Sequence, residues 1–593
     1  MTAGVRVDPG PAVSSGVPLR VPDERPLGLG EFPLAAGPLS PLEPNPSAGL
    51  ACPTTGGRMN AARRVVRLGS GLTPEDVADV AIGHAVVEVD RAAVEARLAA
   101  ARALVKDALE AGVPTYGLNR GLGPLRNSEI PPELIGDFQR YVIVSHAAAI
   151  GSPLSRIEGR AALLARLNTL AAGASGASAG LFDGLLALLQ HDVIPAIPDQ
   201  GSVGAGDLSQ LASIGQVLLG AGRAWLPGRD QMAPGDEALA AAGLEPLRLE
   251  AKDSLALVGS NALSVATASL TQRRATLVAE RADLVAALTI EALGANLSPF
   301  DEAALAARPH PGQQASGRRV RAAVAGGDLA EGRRTATSLQ DAVSLRTIPQ
   351  VHGALLDQLD QLEQLLTVEL NCAPDNPYLD VERGVFVSNG NFSITGLAVG
   401  FDALRIALAH QALLAERRVA LLVTQLRQGR TLADQVQAVT VATGYVTPVI
   451  LAQTASTLVA QAKHLASPIS LTGTTVGDGV EDHSSMAYPS VRVTEQVLDV
   501  VEQLLAIEAL LAATVISVHH GRETVLGAPV ERLRAAIIEA TGRTRVTAEV
   551  IDWVIEALRR EQRGDDLAEM RAPRVPPPVT IHDQEVGRHD QLH

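Results

Sequence analysis

Apolar residues recur at helical spacing through most of the chain. In residues 353–370, leucines lie three or four positions apart, which places them on one face of a helix. The segment 493–520 is apolar over more than half of its circumference, as expected of a helix at the centre of a bundle. Strand patterns are short and few. The pattern therefore predicts a mainly α protein, with a bundle of long helices after a loop-rich N-terminal part.

The two ends of the chain lack this pattern. Residues 1–58 carry proline and glycine throughout and few apolar residues, which predicts a disordered extension. Regular patterning begins after Met59, and we hypothesise that translation starts there. Residues 571–593 are predicted to form a second loose tail. Between these ends we predict a loop-rich N-terminal part over 59–260 and the long-helix bundle over 261–570.

A helix start is predicted just inside the patterned region. Thr73 is followed by Pro74 and Glu75, which is typical of an N-cap, a proline at the first helical position and an acidic first turn.

Composition narrows the class of protein. Aromatic residues make up only 2% of the chain and hydrophobic residues 46%, so the core must be aliphatic. The net charge of −15 argues against a nucleic-acid partner. The longest apolar run, 504–518, contains Glu508 and is shorter than the roughly 20 residues of a membrane span, which predicts no membrane partner. Two cysteines, and no His/Cys cluster with metal-ligand spacing, predict a cytoplasmic protein without a metal site.

Several loops at predicted helix ends carry residues suited to chemistry. "GSVGAGDL" (201–208) is a glycine-rich turn that opens a helix, and its backbone N–H groups near Asp207 are candidate donors to an anion. Tyr116 lies among the glycines of "TYGLNRGLG", where it is either a core residue beside a turn or a functional group on a loop. Arg346 in "QDAVSLR" is either a solvated charge or a fork that binds a carboxylate.

Each motif is weak alone, but their order along about residues 65–560 is specific. Together they resemble the histidine/phenylalanine ammonia-lyases, the aromatic amino acid lyase family. The matching motifs are "TYGLNRGLG", "SHAAAIG", "RLNTLAAGASG", "IPDQGSVGA–GDL", "RPHPGQ", "QDAVSLR", "DNP", "GNF" and "EDHSSM". The resemblance implies the ammonia-lyase fold, a homotetramer, and active sites built from several subunits. It also implies removal or migration of an amino group through an electrophile, methylidene-imidazolone, formed from an internal Ala-Ser-Gly.

The sequence departs from the family at that electrophile. Where the family has Ala-Ser-Gly-Asp, this chain has Ala205, Gly206 and Asp207, without the serine. Gly259 and Val343 replace an asparagine and a tyrosine that serve the electrophile or the reacting amine in the family. Without a β-hydroxyl between Ala205 and Gly206 the methylidene cannot form by dehydration. We therefore predict that methylidene-imidazolone is absent and that no other cofactor replaces it.

Other family positions are retained. By the resemblance, Tyr116 matches the general base, and Arg346 matches the group that binds the substrate carboxylate. The remaining pocket positions are His146, Gln340, Asn376, Phe392 and Glu481. The pocket is thus predicted to hold a small amino acid or a related carboxylate.

Three functions follow from these observations. The first is a carbon–nitrogen or carbon–oxygen lyase of specialised metabolism that works without the electrophile. It would use acid–base chemistry for an elimination, a conjugate addition or a cyclisation. The alternative is a standard histidine or aromatic amino acid ammonia-lyase or aminomutase. The second alternative is a non-catalytic homologue.

Overall fold

The structure is a computed structural model of the chain. It describes residues 64–69, 71–229, 231–428, 448–520, 523–542 and 547–560. The predicted extension 1–58, the hypothesised start at Met59 and the predicted tail 571–593 lie outside the described residues. The division of the patterned region at residues 260 and 261 stays a prediction.

The fold is mainly α, as predicted. The described helices are α1 Pro74–Ala81, α2 Arg91–Glu110, α3 Ile135–His146, α4 Arg156–Leu170, α5 Ala179–Gln190, α6 Leu208–Leu218, α7 Gly235–Ala241, α8 Asp253–Val258, α9 Ala262–Leu293, α10 Glu302–Ala306, α11 Pro311–Val324, α12 Val343–Arg346, α13 Ile348–Leu370, α14 Thr395–Arg427, α15 Pro448–Leu465, α16 Ala487–His519, α17 Ala528–Thr541 and α18 Thr547–Arg560. The predicted helix start is confirmed, because the Thr73 side chain accepts the backbone N–H of Asp76 and closes a capping box at α1.

Short strands lie almost entirely in the first half of the chain. They are β1 Arg64–Arg67, β2 Ala85–Glu88, β3 Ile150–Pro153, β4 Ile194–Pro195, β5 Pro198–Gln200, β6 Arg223–Trp225, β7 Met232–Pro234, β8 Tyr378–Asp380 and β9 Val385–Val387. β1 and β2 pair in parallel, whereas β3–β5, β4–β6–β7 and β8–β9 are antiparallel. These small sheets brace the loops of the N-terminal half, and β8–β9 braces the loop that follows α13.

Four long helices, α9, α13, α14 and α16, pack against one another to form the centre of the molecule. Their shared core is aliphatic, as composition predicted, and in α16 every residue from Leu504 to Ile516 is buried. α9 alone has 32 residues, which corresponds to a length of about 48 Å at ~1.5 Å per residue. Features at the two ends of α9 are therefore far apart within one chain.

Three helical segments, Asp253–Leu293, Thr395–Arg427 and Ala487–His519, are long and apolar enough to cross a bilayer by length and composition. In the folded protein, however, the most apolar 18-residue stretch of the first segment is 94% buried and that of the third is 89% buried. The corresponding stretch of the second segment is only 56% buried. Packing in the bundle thus accounts for the apolar sequence of the first and third segments. The second, which contains α14, keeps an apolar face uncovered within a single chain.

A buried carboxyl group near the end of α9 makes the stability of the fold depend on pH. Glu291 accepts a hydrogen bond from Arg334 through Oε2, while among the described residues its buried Oε1 has no partner. Burial raises the pKa of Glu291 from 4.5 to about 7, against the opposing effect of Arg334. The pKa of Glu291 is higher in the folded protein than in the unfolded chain. Protonated Glu291 therefore stabilises the fold fully below pH ~4.5, and this stabilisation is lost as the pH rises through 7.

We therefore expect Glu291→Gln to flatten the decline of thermal stability between pH 5 and pH 8. The measurement is the melting temperature across that range, with Glu95→Gln, an exposed glutamate of α2, as the matched control. Parallel pH profiles for wild type and Glu291→Gln would contradict this assignment.

Candidate active site

The turn 201–207 is held in a conformation that requires glycine. Gly204 and Gly206 both have φ near +81°, a region that other residues rarely adopt. A Cβ at Gly204 would lie 2.2 Å from the Ser485 Oγ. That hydroxyl donates to the carbonyl of Gly204 at 2.8 Å, and the Met486 backbone N–H donates to the carbonyl of Val203 at 2.8 Å. The segment leading into α16 therefore packs directly against the turn.

Asp207 fixes the turn to the start of α9 through hydrogen bonds. Its carboxylate is fully buried and accepts the hydroxyls of Ser202 and Ser264, each at 2.6 Å, and the backbone N–H of Ser264 at 2.8 Å. Burial raises the pKa of Asp207, and these hydrogen bonds partly oppose the rise. The Ser202 hydroxyl is thus engaged with Asp207 rather than directed at a ligand.

Asn261, just before α9, joins the turn to a second loop. Its Oδ1 accepts the backbone N–H of Gly206 at 3.0 Å, and its Nδ2 donates to the carbonyl of Phe392. Ser393 forms a bridge with Ala205 beside it. Sequence comparison directed attention to Gly259 as a lost asparagine and missed Asn261, two positions later. Its amide within "GSN" was the only available signal.

Two backbone donors at the end of the turn are already engaged. The N–H of Gly206 is bonded to Asn261, and the N–H of Asp207 donates to the carbonyl of Ser260 at 2.7 Å. These two N–H groups are therefore not available to an anion in this conformation, and the expectation that N–H groups at the start of α6 bind one stays a prediction.

Tyr116, His146 and Glu481 come together near the turn. The Tyr116 hydroxyl accepts the backbone N–H of Gly123 at 3.0 Å. Burial raises the pKa of Tyr116, the Gly123 N–H lowers it, and the charge of Glu481 raises it further. Burial likewise raises the pKa of Glu481, which the neighbouring His146 lowers. The phenol and the imidazole thus each lie close enough to Glu481 to interact with its charge, and Glu481 precedes by four residues Ser485, which contacts the turn.

Asn376 and Phe392 also lie at this end of the molecule. Asn376 Oδ1 accepts the backbone N–H of Asn389 at 3.0 Å, at the start of the loop that carries Phe392. Next to it, the buried carboxylate of Asp375 pairs with Arg166 at 2.8 Å. This buried pair fixes the segment from which the loop extends.

Gln340 and Arg346 lie elsewhere. Arg346 donates through Nε to the carbonyl of Asp341, whose carboxylate accepts the backbone N–H of Asn296, just beyond the C-terminal end of α9. The turn, in contrast, contacts Asn261 and Ser264 at the N-terminal end of α9. Val343, the third position of this group, is 59% exposed. Within one chain, the length of α9 therefore separates the predicted carboxylate-binding arginine from the turn.

The comparisons with known proteins agree with this geometry. A family model described as aromatic amino acid lyase matches residues 72–539. A histidine ammonia-lyase of Anaeromyxobacter sp. (strain K) is 40% identical over 456 residues, which cover 75% of this chain and 88% of that protein.

Two solved structures share the fold. Histidine ammonia-lyase from Trypanosoma cruzi superposes with a TM-score of 0.73 at 31% identity, covering 84% of this chain and 93% of that chain. The ergothioneine-degrading enzyme ergothionase from Treponema denticola superposes with a TM-score of 0.77 at 26% identity, covering 84% of this chain and 99% of that chain.

These matches overturn the prediction that the protein carries no cofactor. Relatives named histidine ammonia-lyase, 36–40% identical to this chain, imply methylidene-imidazolone, which the family forms from Ala-Ser-Gly. The prediction gave the missing serine and the changes at Gly259 and Val343 more weight than the similarity of the whole chain.

At the turn itself, the residues do not supply the serine of that triad. Ala205 is followed directly by Gly206, and the nearest serine before them, Ser202, donates to Asp207.

The ordered motifs, the long-helix bundle and the pocket beside the turn all lead to the same assignment as the sequence matches. The family model covers more than three quarters of the chain, and the matched region contains every residue predicted for the site. The protein belongs to the aromatic amino acid lyase family.

Proposed function

We propose that the protein is a lyase that eliminates an amine from an imidazole-bearing α-amino acid, with L-histidine as the first candidate substrate. The observation that carries the proposal is the grouping of Tyr116, His146 and Glu481 beside the turn. An imidazole ring offers one donor and one acceptor, which a carboxylate and a histidine can both engage. The similarity to proteins named histidine ammonia-lyase supports the same substrate.

The reaction we propose is a β-elimination. A base removes a proton from Cβ, the Cα–N electron pair leaves with the amine, and a Cα=Cβ double bond forms. Tyr116 is the proposed proton-transfer group, because its hydroxyl lies on the loop that faces Glu481. Since burial keeps this phenol protonated near neutral pH, a cation close to it, such as the substrate ammonium, would favour its ionised form.

We infer that the complete site forms between copies of the chain in a homotetramer. Arg346 lies at the opposite end of α9 from the turn, so only a second copy running the other way can bring an arginine fork to the substrate carboxylate. Exposed apolar side chains on α14 support such an assembly, among them Val399 and Ile406, at 53% and 46% exposure.

A second candidate substrate is a trialkylated relative, such as the betaine ergothioneine. The observation that favours it is the similarity to an ergothioneine-degrading enzyme. A trialkylammonium group has no N–H proton to lose, so it stays a cation at any pH and leaves as a neutral amine.

The two candidates are distinguished by one paired assay. The purified full-length protein is incubated separately with L-histidine and with ergothioneine, and the released amine and the unsaturated acid are quantified together. Ammonia with an equal amount of acid from L-histidine supports the first candidate, and trimethylamine with an equal amount of acid from ergothioneine supports the second. The proposed reaction is refuted if ammonia is not released from L-histidine and trimethylamine is not released from ergothioneine. The mass of the peptide 198–208 then reports directly on the chemistry of the turn.

A further inference from the structure

A separate cavity of about 450 Å³ opens beside the loop 388–393. Polar groups on its wall include Glu369 and Cys372 at the end of α13, Tyr378 on β8, and Asn391 and Ser393 on the loop. None of the residues predicted for the substrate pocket lines it. Its volume lies within the range of roughly 300–1,000 Å³ that small-molecule sites occupy.

Glu369 is the only charged residue on the wall of this cavity. It is half-buried, and among the described residues no lysine, arginine or histidine forms an ion pair with it. Its Oε2 accepts a hydrogen bond from the weak donor Cys372 Sγ at 3.8 Å. Burial raises the pKa of Glu369, which is the effect of removing a carboxylate from water without supplying a cation. A cationic ligand would stabilise a half-buried carboxylate on the wall of an open cavity.

The other wall groups suit an ammonium ion. Three N–H donors of an ammonium group can be shared between the carboxylate of Glu369, the hydroxyl of Ser393 and the side-chain oxygen of Asn391. Tyr378 lines the same cavity, and aromatic rings attract cations. A bulky anion has no cationic partner on this wall.

Glu369 also faces the inside of the protein. It lines a second, internal cavity of about 10 Å³, together with Ser260 and Asn261. Asn261 holds the Gly206 N–H of the turn, so one residue separates the open cavity from the contacts of the turn.

We propose that this cavity binds a small primary ammonium compound, whose cationic group is held by the Glu369 carboxylate. The cavity shares the loop 388–393 with Phe392 of the predicted substrate pocket, but none of the predicted pocket residues lines it, and the proposal does not depend on the proposed reaction. A ligand there would contact the same carboxylate that reaches the neighbourhood of the turn.

Binding of n-butylammonium to the full-length protein tests this proposal. This probe has no ring or carboxylate, so the ammonium is the one group it shares with the substrate, and the Glu481→Gln variant below shows whether the probe binds in the substrate pocket instead. Ligand-observed NMR titration is expected to give saturable binding. Glu369→Gln should weaken it at least about ten-fold, since a hydrogen bond to a charged group is lost. Glu363→Gln, an exposed glutamate two turns earlier on α13, is the matched control and should bind as wild type does.

Two further variants keep the test decisive if Glu369→Gln is poorly folded. Gly390 lines the cavity, and a Cβ there meets no other atom within 4 Å, so a leucine side chain can enter the cavity without a clash. Gly390→Leu should therefore fill the cavity and abolish binding. Glu481→Gln should leave binding unchanged, since Glu481 belongs to the substrate pocket. The proposal is overturned if wild type shows no saturable binding or if folded Glu369→Gln and Gly390→Leu bind as wild type. It is equally overturned if Glu481→Gln is the variant that loses binding.

Discussion

Replacing Tyr116 by phenylalanine is expected to reduce kcat for amine elimination by about 10²- to 10⁴-fold, the usual contribution of a positioned proton-transfer group. The substitution removes only the hydroxyl and keeps the half-buried ring in its loop. The lost interaction with the Gly123 N–H is a single hydrogen bond at a partly exposed position, so the fold should tolerate the change. The measurement is the initial rate of amine release at saturating substrate, with KM determined alongside.

Tyr141→Phe is the matched control for this prediction. Tyr141 is 59% exposed on α3, and its ring stacks on Phe138. It makes the same chemical change at an exposed tyrosine outside the predicted site and should leave kcat within two-fold of wild type. If Tyr116→Phe retained full activity, or if its loss of activity matched a loss of folded protein, Tyr116 would not be the proton-transfer group.

The second large effect concerns stability. Glu508→Gln is expected to lower the free energy of unfolding by about 3–5 kcal/mol, because it leaves a buried guanidinium without its counter-charge. Arg418 on α14 donates to Glu508 on α16 through Nε at 2.6 Å and through Nη2 at 2.9 Å, and both side chains are fully buried. Thr289 of α9 donates to the same carboxylate at 2.7 Å. Three long helices therefore share this one charge.

Denaturant unfolding of wild type and variant at one protein concentration measures the effect. Glu110→Gln is the control, since Glu110 pairs with Lys106 on the exposed surface of α2 at 3.7 Å. Such a surface pair contributes less than about 1 kcal/mol. Equal stability of the Glu508→Gln and Glu110→Gln variants would show that the buried pair does not stabilise the bundle.

Helical periodicity predicted the bundle because packing, and not chemistry, sets the spacing of aliphatic residues. Leu355, Leu359, Leu362 and Leu366 are buried on one face of α13, as their spacing requires. Leu365, at the edge of the same pattern, is 39% exposed. The spacing fixed which face of the helix is apolar, but not how much of that face a single chain covers.

The buried charges could not be predicted from local pattern. Glu508 interrupted an apolar run, and nothing near it in sequence indicated that Arg418, 90 residues earlier, would neutralise it. The same holds for Arg166 and Asp375, which are 209 residues apart. Ion pairs of this kind depend on helix packing, which periodicity does not specify.

The residues of the site were predicted better than its arrangement. Motif order identified Tyr116, His146 and Glu481, and in the structure both Tyr116 and His146 interact electrostatically with Glu481. It gave no sign that Arg346 lies at the other end of α9, because order along a chain carries no information about position along a 32-residue helix. It also missed Asn261, because its amide lies two positions away from the family position.

Complementation between two variants tests most directly the claim that the active site joins the turn end of one copy to the Arg346 end of another. Tyr116→Phe and Arg346→Gln are purified separately and also after co-expression with two different affinity tags. Each variant alone should be inactive in the amine-release assay. Mixed oligomers, which contain some sites with both native residues, should recover a substantial fraction of wild-type activity. Mixed oligomers as inactive as the separate variants would contradict the shared site.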